Sequence, residues 1–230
     1  MNTNRAEYLP HEGVMLEEIS SIIKDVPTGN FVDATYGFGS HFNLSTIHDH
    51  LNFIGFDRDL ESINNSNNVH NVYHLNFSDI YKFLSQNNHL PLSGIMYDFG
   101  LSSHQIDSKH RGFSFQNNSP LDMRMDMLQD LSAASIVNNY SEEKLTKVLK
   151  AYSEDRYSNK ISKKIIESRP VLTTNELVKA IKEALPRQNP IFTEKTIRRI
   201  FQALRIEVND ELNEITFSLN SIKKSIKKKG

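Results

Sequence analysis

Apolar positions along this 230-residue chain change their period once. Up to about Leu101, short apolar runs at Asn30–Asp33, Asn52–Asp57, Asn71–Leu75 and Leu92–Asp98 alternate with amphipathic stretches at Val14–Lys24, Ser40–His50 and Asp79–Gln86. Strands that alternate with helices in this way build a parallel sheet with helices over its faces. The Asn-rich stretch Asn64–Asn71 reads as a loop or frayed helix end, because asparagine favours turns over regular structure. After Leu101 no strand pattern recurs. A loop holding His110–Phe115 and Pro120–Asp126 leads into wholly helical sequence, with Ser132, Ser141 and Thr173 as N-caps and Glu176 completing a capping box with Thr173. A long helix is predicted to start at Thr193 or Thr196 and to bury Ile197, Ile200, Phe201, Leu204, Ile206, Val208 and Leu212. The pattern predicts an α/β sheet with an all-helical insert from about residue 105 to 205.

The first strand runs into Asp33-Ala34-Thr35-Tyr36-Gly37-Phe38-Gly39-Ser40-His41, and the second ends on Asp57. Glycines let backbone approach a ligand, and a carboxylate at the tip of the next strand can accept both hydroxyls of a ribose. A dinucleotide site would continue to a third glycine, but the sixth position from Gly37 is Phe42, and Asp33 would repel a pyrophosphate. An acidic, glycine-poor loop suits a cationic nucleoside cofactor, and S-adenosylmethionine carries both a sulfonium and an ammonium. A strand-turn-helix with no ligand is the bland alternative, and Asp57 counts against it.

Composition narrows the class. With no cysteine, disulfides and thiolate zinc sites are excluded. No apolar run is long enough to span a bilayer, and Met1–Arg5 lacks a signal-peptide core, so a cytoplasmic location is expected. His48 and His50, and His70 with His74, lack the companion spacing of a metal site, so no metal is expected. The net charge of −1 conceals an asymmetry: residues 1–138 carry 7 Lys/Arg against 16 Asp/Glu, whereas residues 139–230 carry 20 against 12. An acidic half can hold a cationic cofactor and a basic half can neutralise phosphates, so nucleic acid leads among partners, beside the plain alternative of solvated Lys-rich helices.

Asp98 ends the fourth apolar run, which puts it at the same sheet edge as Asp33 and Asp57, where open parallel sheets bind ligands. Asp98-Phe99-Gly100 also spells a kinase magnesium motif, yet no strand lysine or catalytic loop accompanies it. Phe77, beside Asn76, either stacks on an adenine or packs in the core.

Several long strings then appear in order: Asp98 to Ser103, Gln105 to Asp107, Arg111 to Phe115, Pro120 to Asp126, and Phe201 to Ile206 with Val208-Asn209, preceded by His11, Val14, Leu16 and Glu17. Together they resemble the MraW family, the bacterial methyltransferases that modify the exocyclic N4 of a cytosine in the decoding region of 16S ribosomal RNA. The resemblance covers essentially the whole chain. It implies a Rossmann-like methyltransferase domain in residues 1–104, an inserted helical RNA-binding domain in 105–205, and a return to the first domain in 206–230. It implies S-adenosylmethionine as cofactor, held by Gly39, Ser40, His41, Asp57, Phe77, Asp98 and Gln105, and 16S rRNA or the small ribosomal subunit as partner, with a homodimer open. Ser40 stands where the family has glycine and Gly13 where it has proline. Thr196 and Arg198 stand where it has proline and threonine, while Arg199 keeps the family arginine. Further strands and a Ser-Phe-His-Ser-Leu-Glu-Asp motif, expected after Gly230, are absent from this sequence, so the sheet is expected to lack its last strands.

Cytosine N4 is a poor nucleophile because its lone pair is delocalised into the ring, so the base must be unstacked, aligned with the methyl and relieved of a proton. Asp98, or a backbone carbonyl beside Phe99, is the expected acceptor. Arg111, Arg124 and Arg199 are expected to hold the substrate; for Arg111 and Arg124 the alternative is ion pairing with Asp107, Asp122 or Asp126. A non-catalytic RNA-binding or ribosome-assembly protein that keeps the fold is the second functional class. A small-molecule methyltransferase is third.

Overall fold

The computed structural model describes residues 13–64, 71–186 and 189–227. They fall into two compact units, one drawn from the described residues up to 100 and from 214 onward, the other from those between 101 and 213.

In the first unit, β1 (Gly29–Asp33), β2 (Leu51–Asp57), β3 (Val72–His74) and β4 (Leu92–Met96) form one sheet, all parallel, in the order β3-β2-β1-β4. Side chains alternate across a strand, so β1 sends Phe31 to one face and Val32 to the other, and β2 does the same with Phe53 and Ile54. Phe31, Leu51 and Phe53 pack with Ile23 of α1 (Leu16–Ile23) and with Leu44. On the opposite face Val32, Ile54, Phe56 and Leu92 pack with Ile80 and Leu84 of α3 (Phe77–Gln86) and Ile222 of α10 (Glu211–Ile222). Both faces are covered, which is why the strands read as continuous apolar runs. A short α2 (Leu60–Asn64) lies between β2 and β3. Ile226 makes a single parallel bridge to Leu92, with the Leu92 amide donating to the Ser225 carbonyl at 2.8 Å and the Lys227 amide to the Leu92 carbonyl at 2.9 Å. Residues 225–227 thus run beside β4 on the side away from β1.

The second unit is helical: α4 (Ser103–Asp107), α5 (Ala133–Asn139), α6 (Glu142–Ser153), α7 (Ser158–Glu167), α8 (Thr174–Ala184) and α9 (Pro190–Asn209). One apolar core gathers Leu145 and Leu149 of α6, Ile161 and Ile165 of α7, Leu177 and Ile181 of α8, and Ile200, Phe201 and Leu204 of α9. The i, i+3/i+4 spacing of each pair makes that stripe. Ser132 and Ser141 cap α5 and α6, and Thr173 forms the capping box with Glu176 at the start of α8.

Three predicted boundaries move. The Ser40–His50 segment is no α-helix but a 3-10 turn over Phe42–Thr46, since Asn43, Ser45, Thr46 and Ile47 are all weak helix formers. Helix α3 starts at Phe77, before Asp79, because the Glu214 carboxylate accepts from the Ser78 amide at 2.9 Å and caps the helix from 136 residues away. The long helix starts at Pro190 behind the Asn189 cap, not at Thr193 or Thr196, and ends at Asn209, where Asp210 turns left-handed, so Leu212 lies on α10.

Candidate functional site

The carboxyl ends of the four strands carry Asp33, Asp57, Asn76 and Asp98 at one edge of the sheet. Asp33 is wholly buried. Its Oδ1 accepts from the Thr35 amide at 3.1 Å, and Oδ2 has no hydrogen-bond partner among the described residues. Burial, with smaller contributions from Asp57 and Asp98, pushes the Asp33 carboxyl up to about 7, against the Thr35 amide and the nearby His41. Asp57 is raised to about 6, chiefly by burial, although amides favour its ionised form: Gly37 donates to Oδ2 and Asp59 to Oδ1, each at 2.7 Å. Each Asp57 oxygen has a second lone pair to offer.

The turn after β1 is shaped by two glycines in the left-handed region, Gly37 at φ 54° and Gly39 at φ 80°. A Cβ on Gly39 would lie 2.8 Å from the Tyr36 hydroxyl, so the turn has room for no side chain there. His41 is buried, and its Nε2 pairs with the Val14 carbonyl at 2.9 Å, fastening the segment before α1 to the turn. Ser40 lines an open groove of about 870 Å3 with Ser20, Asn43 and Ile47.

Past β4 the chain leaves the sheet at Met96, so Asp98 stands two residues beyond the strand and is exposed. Its amide donates to the Thr35 hydroxyl at 2.7 Å, and Thr35 in turn caps Asp33. Thr35 therefore couples the ends of β1 and β4, a role with no signal in the sequence. Phe77, Tyr97 and Phe99 form an aromatic cluster with centroids 5.2–5.8 Å apart, and the Tyr97 hydroxyl pairs with Ser218 at 2.7 Å. Phe99 is nearly half exposed, at 47%. Next to Phe77 in sequence, the side-chain oxygen of Asn76 is buried with no hydrogen-bond partner among the described residues.

Gln105, Arg111, Arg124 and Arg199 belong to the helical unit. Gln105 is buried and completes a capping box with Ser102 at the start of α4. Arg111, expected to hold substrate, is instead fully buried, and its Nη2 donates to the carbonyls of Arg124 and Met125, each at 2.9 Å. Arg124 forms a two-pronged pair with Asp122, at 2.9 and 2.8 Å, and its remaining nitrogen donates to the Gln129 carbonyl at 2.7 Å. Of the two readings, the structure gives both arginines internal loop partners: for Arg124 the Asp122 ion pair, for Arg111 backbone carbonyls. Asn209 holds the same loop, accepting from the Met125 amide at 2.8 Å and donating to the Met123 carbonyl at 2.7 Å. Arg199 is exposed on α9. Among the described residues no three His, Asp or Glu side chains gather as a metal site, and His70 lies outside them. No helix among them is long and apolar enough to cross a membrane.

The profile of the MraW methylase family matches residues 8–230. The chain belongs to this family. It is 39% identical to the ribosomal RNA small subunit methyltransferase H of Clostridioides difficile, over 91% of this chain and 71% of the relative. It is 40% identical to that of Halothermothrix orenii, over 96% and 75%, and 39% identical to that of Mycoplasma mycoides subsp. mycoides, over 91% and 71%. The family is a methyltransferase family that uses S-adenosylmethionine. The strand edge fits that cofactor in charge and room: Asp33 and Asn76 each keep an oxygen with no hydrogen-bond partner among the described residues, and two glycines keep the turn clear of side chains.

Proposed function

We propose that this chain methylates the exocyclic N4 of a cytosine in the decoding region of 16S ribosomal RNA, in the cytoplasm, as part of small-subunit maturation. The observation that carries the reading is the unpartnered Asp33 oxygen, buried in an acidic strand edge, in a chain whose relatives are named for methylating small-subunit rRNA.

When bound, S-adenosylmethionine supplies an electrophilic methyl carbon on a positively charged sulfur. Asp33 holds the edge negative for that charge, and its own ionisation is favoured by the same pairing. Asp57 accepts from the ribose hydroxyls with its free lone pairs. Asn76 accepts from the adenine amine, and Phe77 stacks against the ring. Gly39, Ser40 and His41 line the methionine side of the turn. Asp98, exposed and positioned through its amide by Thr35, accepts a hydrogen bond from the cytosine amine, which turns the nitrogen lone pair out of conjugation, and takes up the amine proton as the nitrogen–methyl bond forms and the methyl–sulfur bond breaks, S-adenosylhomocysteine being the leaving group. Phe99 offers a face on which the unstacked base rests. The helical unit, through Arg199 and its other exposed cations, holds the RNA backbone.

The test is transfer of labelled methyl to small subunits that lack the modification, with nucleoside analysis for N4-methylcytidine. Asp98→Ala is expected to lower turnover by about 100-fold or more while leaving cofactor binding intact. Label found on another nucleoside, or near-normal turnover of that variant at saturating cofactor, would sink the assignment. Cofactor binding with no transfer to any RNA would select the non-catalytic ribosome-assembly alternative.

A further inference from the structure

Most basic residues of the helical unit that meet a carboxylate do so closely. Arg124 pairs with Asp122 at 2.8 Å, Lys164 with Glu183 at 3.0 Å, Arg198 with Glu194 at 2.6 Å and Arg205 with Glu211 at 2.7 Å. Arg156, Lys160, Lys195 and Arg199 are all exposed and make no ion pair among the described residues, although Glu154 stands two residues from Arg156. These four share one region. The Arg156 guanidinium carbon lies 4.8 Å from the Tyr157 ring centroid and 5.4 Å from that of Phe192, and Lys160 Nζ lies 6.0 Å from Tyr157. The two rings meet edge to face at 6.0 Å and 89°. Phe192, Lys195 and Arg199 follow one another on α9 at spacings of three and four, so they form one stripe about 10 Å long.

This surface is held rigidly from beneath. Asp155 is buried, its Oδ1 accepting from the Tyr157 amide at 2.9 Å and its Oδ2 from the Thr196 hydroxyl at 3.0 Å. One carboxylate therefore fixes the α6–α7 loop, which carries Arg156 and Tyr157, to the α9 turn that carries Phe192 and Lys195. Thr196, which departs from the family pattern, is the residue that makes the second bond.

Unneutralised cations interleaved with aromatic rings on a rigid base match single-stranded RNA: phosphates satisfy the charges, and unstacked bases find ring and guanidinium faces. We propose that Arg156, Tyr157 and Phe192, continued by Lys160, Lys195 and Arg199, form a landing site for single-stranded RNA. The base-stacking position is at Tyr157 and Phe192, and the phosphate track runs along α9. The proposal rests on the reading of the chain as an RNA methyltransferase and adds where on the helical unit the strand lies.

The test uses the full chain and a labelled, unstructured twelve-nucleotide RNA, followed by fluorescence anisotropy over a salt series. Phe192→Leu and Tyr157→Leu keep the apolar volume and remove the ring; each is expected to weaken binding roughly 5-fold or more with the salt slope unchanged. Lys195→Gln and Arg199→Gln are each expected to reduce the slope of log K against log salt by about 0.7. Lys179→Gln, on α8 and 78% exposed at its side chain, is expected to change neither. Circular dichroism melts check folding, and Arg156→Gln serves as the stacking variant if either leucine variant unfolds. The site is overturned if wild type does not bind the RNA, if the ring variants bind as wild type, if they lose as much on a duplex of equal length, or if the α9 variants behave as Lys179→Gln. Methyl transfer to small subunits is measured in parallel: RNA binding at this surface without transfer contradicts the enzymatic reading alone, and transfer unaffected by these variants contradicts the landing site alone.

Discussion

Asparagine in place of Asp33 removes one negative charge from the carboxyl end of β1 and changes little else in shape. The Asp33 carboxyl ionises near 7 in the folded chain, against 3.8 for the ordinary group, because burial disfavours its charge. The folded state therefore binds the proton more tightly than the unfolded state. Stability linked to Asp33 is fully present below about pH 4, falls as pH rises from there, and is lost above about pH 7. The span of roughly 3 pH units sets a ceiling of about 4 kcal/mol on that loss. The asparagine side chain carries no charge to bury, but its amide nitrogen would stand where Oδ2 now lacks a partner, which costs about 1–2 kcal/mol. The net expectation is that Asp33→Asn is more stable than wild type by about 2 kcal/mol at pH 8 and no more stable at pH 4.5, measured by urea unfolding without cofactor. A residual slope from Asp57, raised to about 6, persists in both proteins. Cofactor binding must move the other way. Only the ionised Asp33 attracts the sulfonium, so wild-type affinity for S-adenosylmethionine is expected to rise about 30-fold from pH 5.5 to 8, and that rise should vanish in the variant. S-adenosylhomocysteine, whose sulfur is neutral, should show a shallower rise. An equal stability difference at both pH values, or a pH-independent affinity in wild type, would refute the assignment of Asp33 as the carboxylate that meets the positive charge.

Arg111→Ala leaves the carbonyls of Arg124 and Met125 without their buried donor and is expected to cost about 3 kcal/mol in urea unfolding, with RNA affinity falling only as far as folding does. If RNA binding collapses while stability is unchanged, the guanidinium is a substrate contact after all. Asn209→Ala removes bonds to both Met123 and Met125 and should destabilise by about 2–3 kcal/mol; a Tm shift under about 2 °C would show that the loop does not depend on it. Gly39→Ala places a methyl against the Tyr36 hydroxyl at a φ that L residues avoid, so about 1–2 kcal/mol of stability and most cofactor affinity should go, as read by calorimetric melting and titration. Glu214→Gln weakens the charge at the start of α3 and should lower stability in urea unfolding by about 0.5–1 kcal/mol at low salt, an effect that shrinks as added salt screens the charge.

What could be read from the sequence was whatever a few neighbouring residues settle among themselves. The strands declared themselves because Phe31-Val32 and Phe53-Ile54 are apolar on both faces, and the helix starts at Ser132, Ser141 and Thr173 because each cap bonds an amide three residues on. The acidic residues at strand ends were legible for the same reason, since a strand's last residue fixes which edge it occupies. Segment Ser40–His50 failed because apolar spacing alone does not make a helix of weak formers held by packing against Phe53.

By itself, then, the sequence determined the order of the strands, the capped helix starts, the acidic strand edge and the resemblance to the family, all of which depend on local spacing or motif order. Only the tertiary structure decided what each polar side chain does there. Arg111 turned inward to two carbonyls, Glu214 crossed 136 positions to cap α3, and Thr35 joined the ends of β1 and β4. A buried donor or acceptor takes whatever partner the fold brings within about 3 Å, and nothing in a linear pattern records that distance.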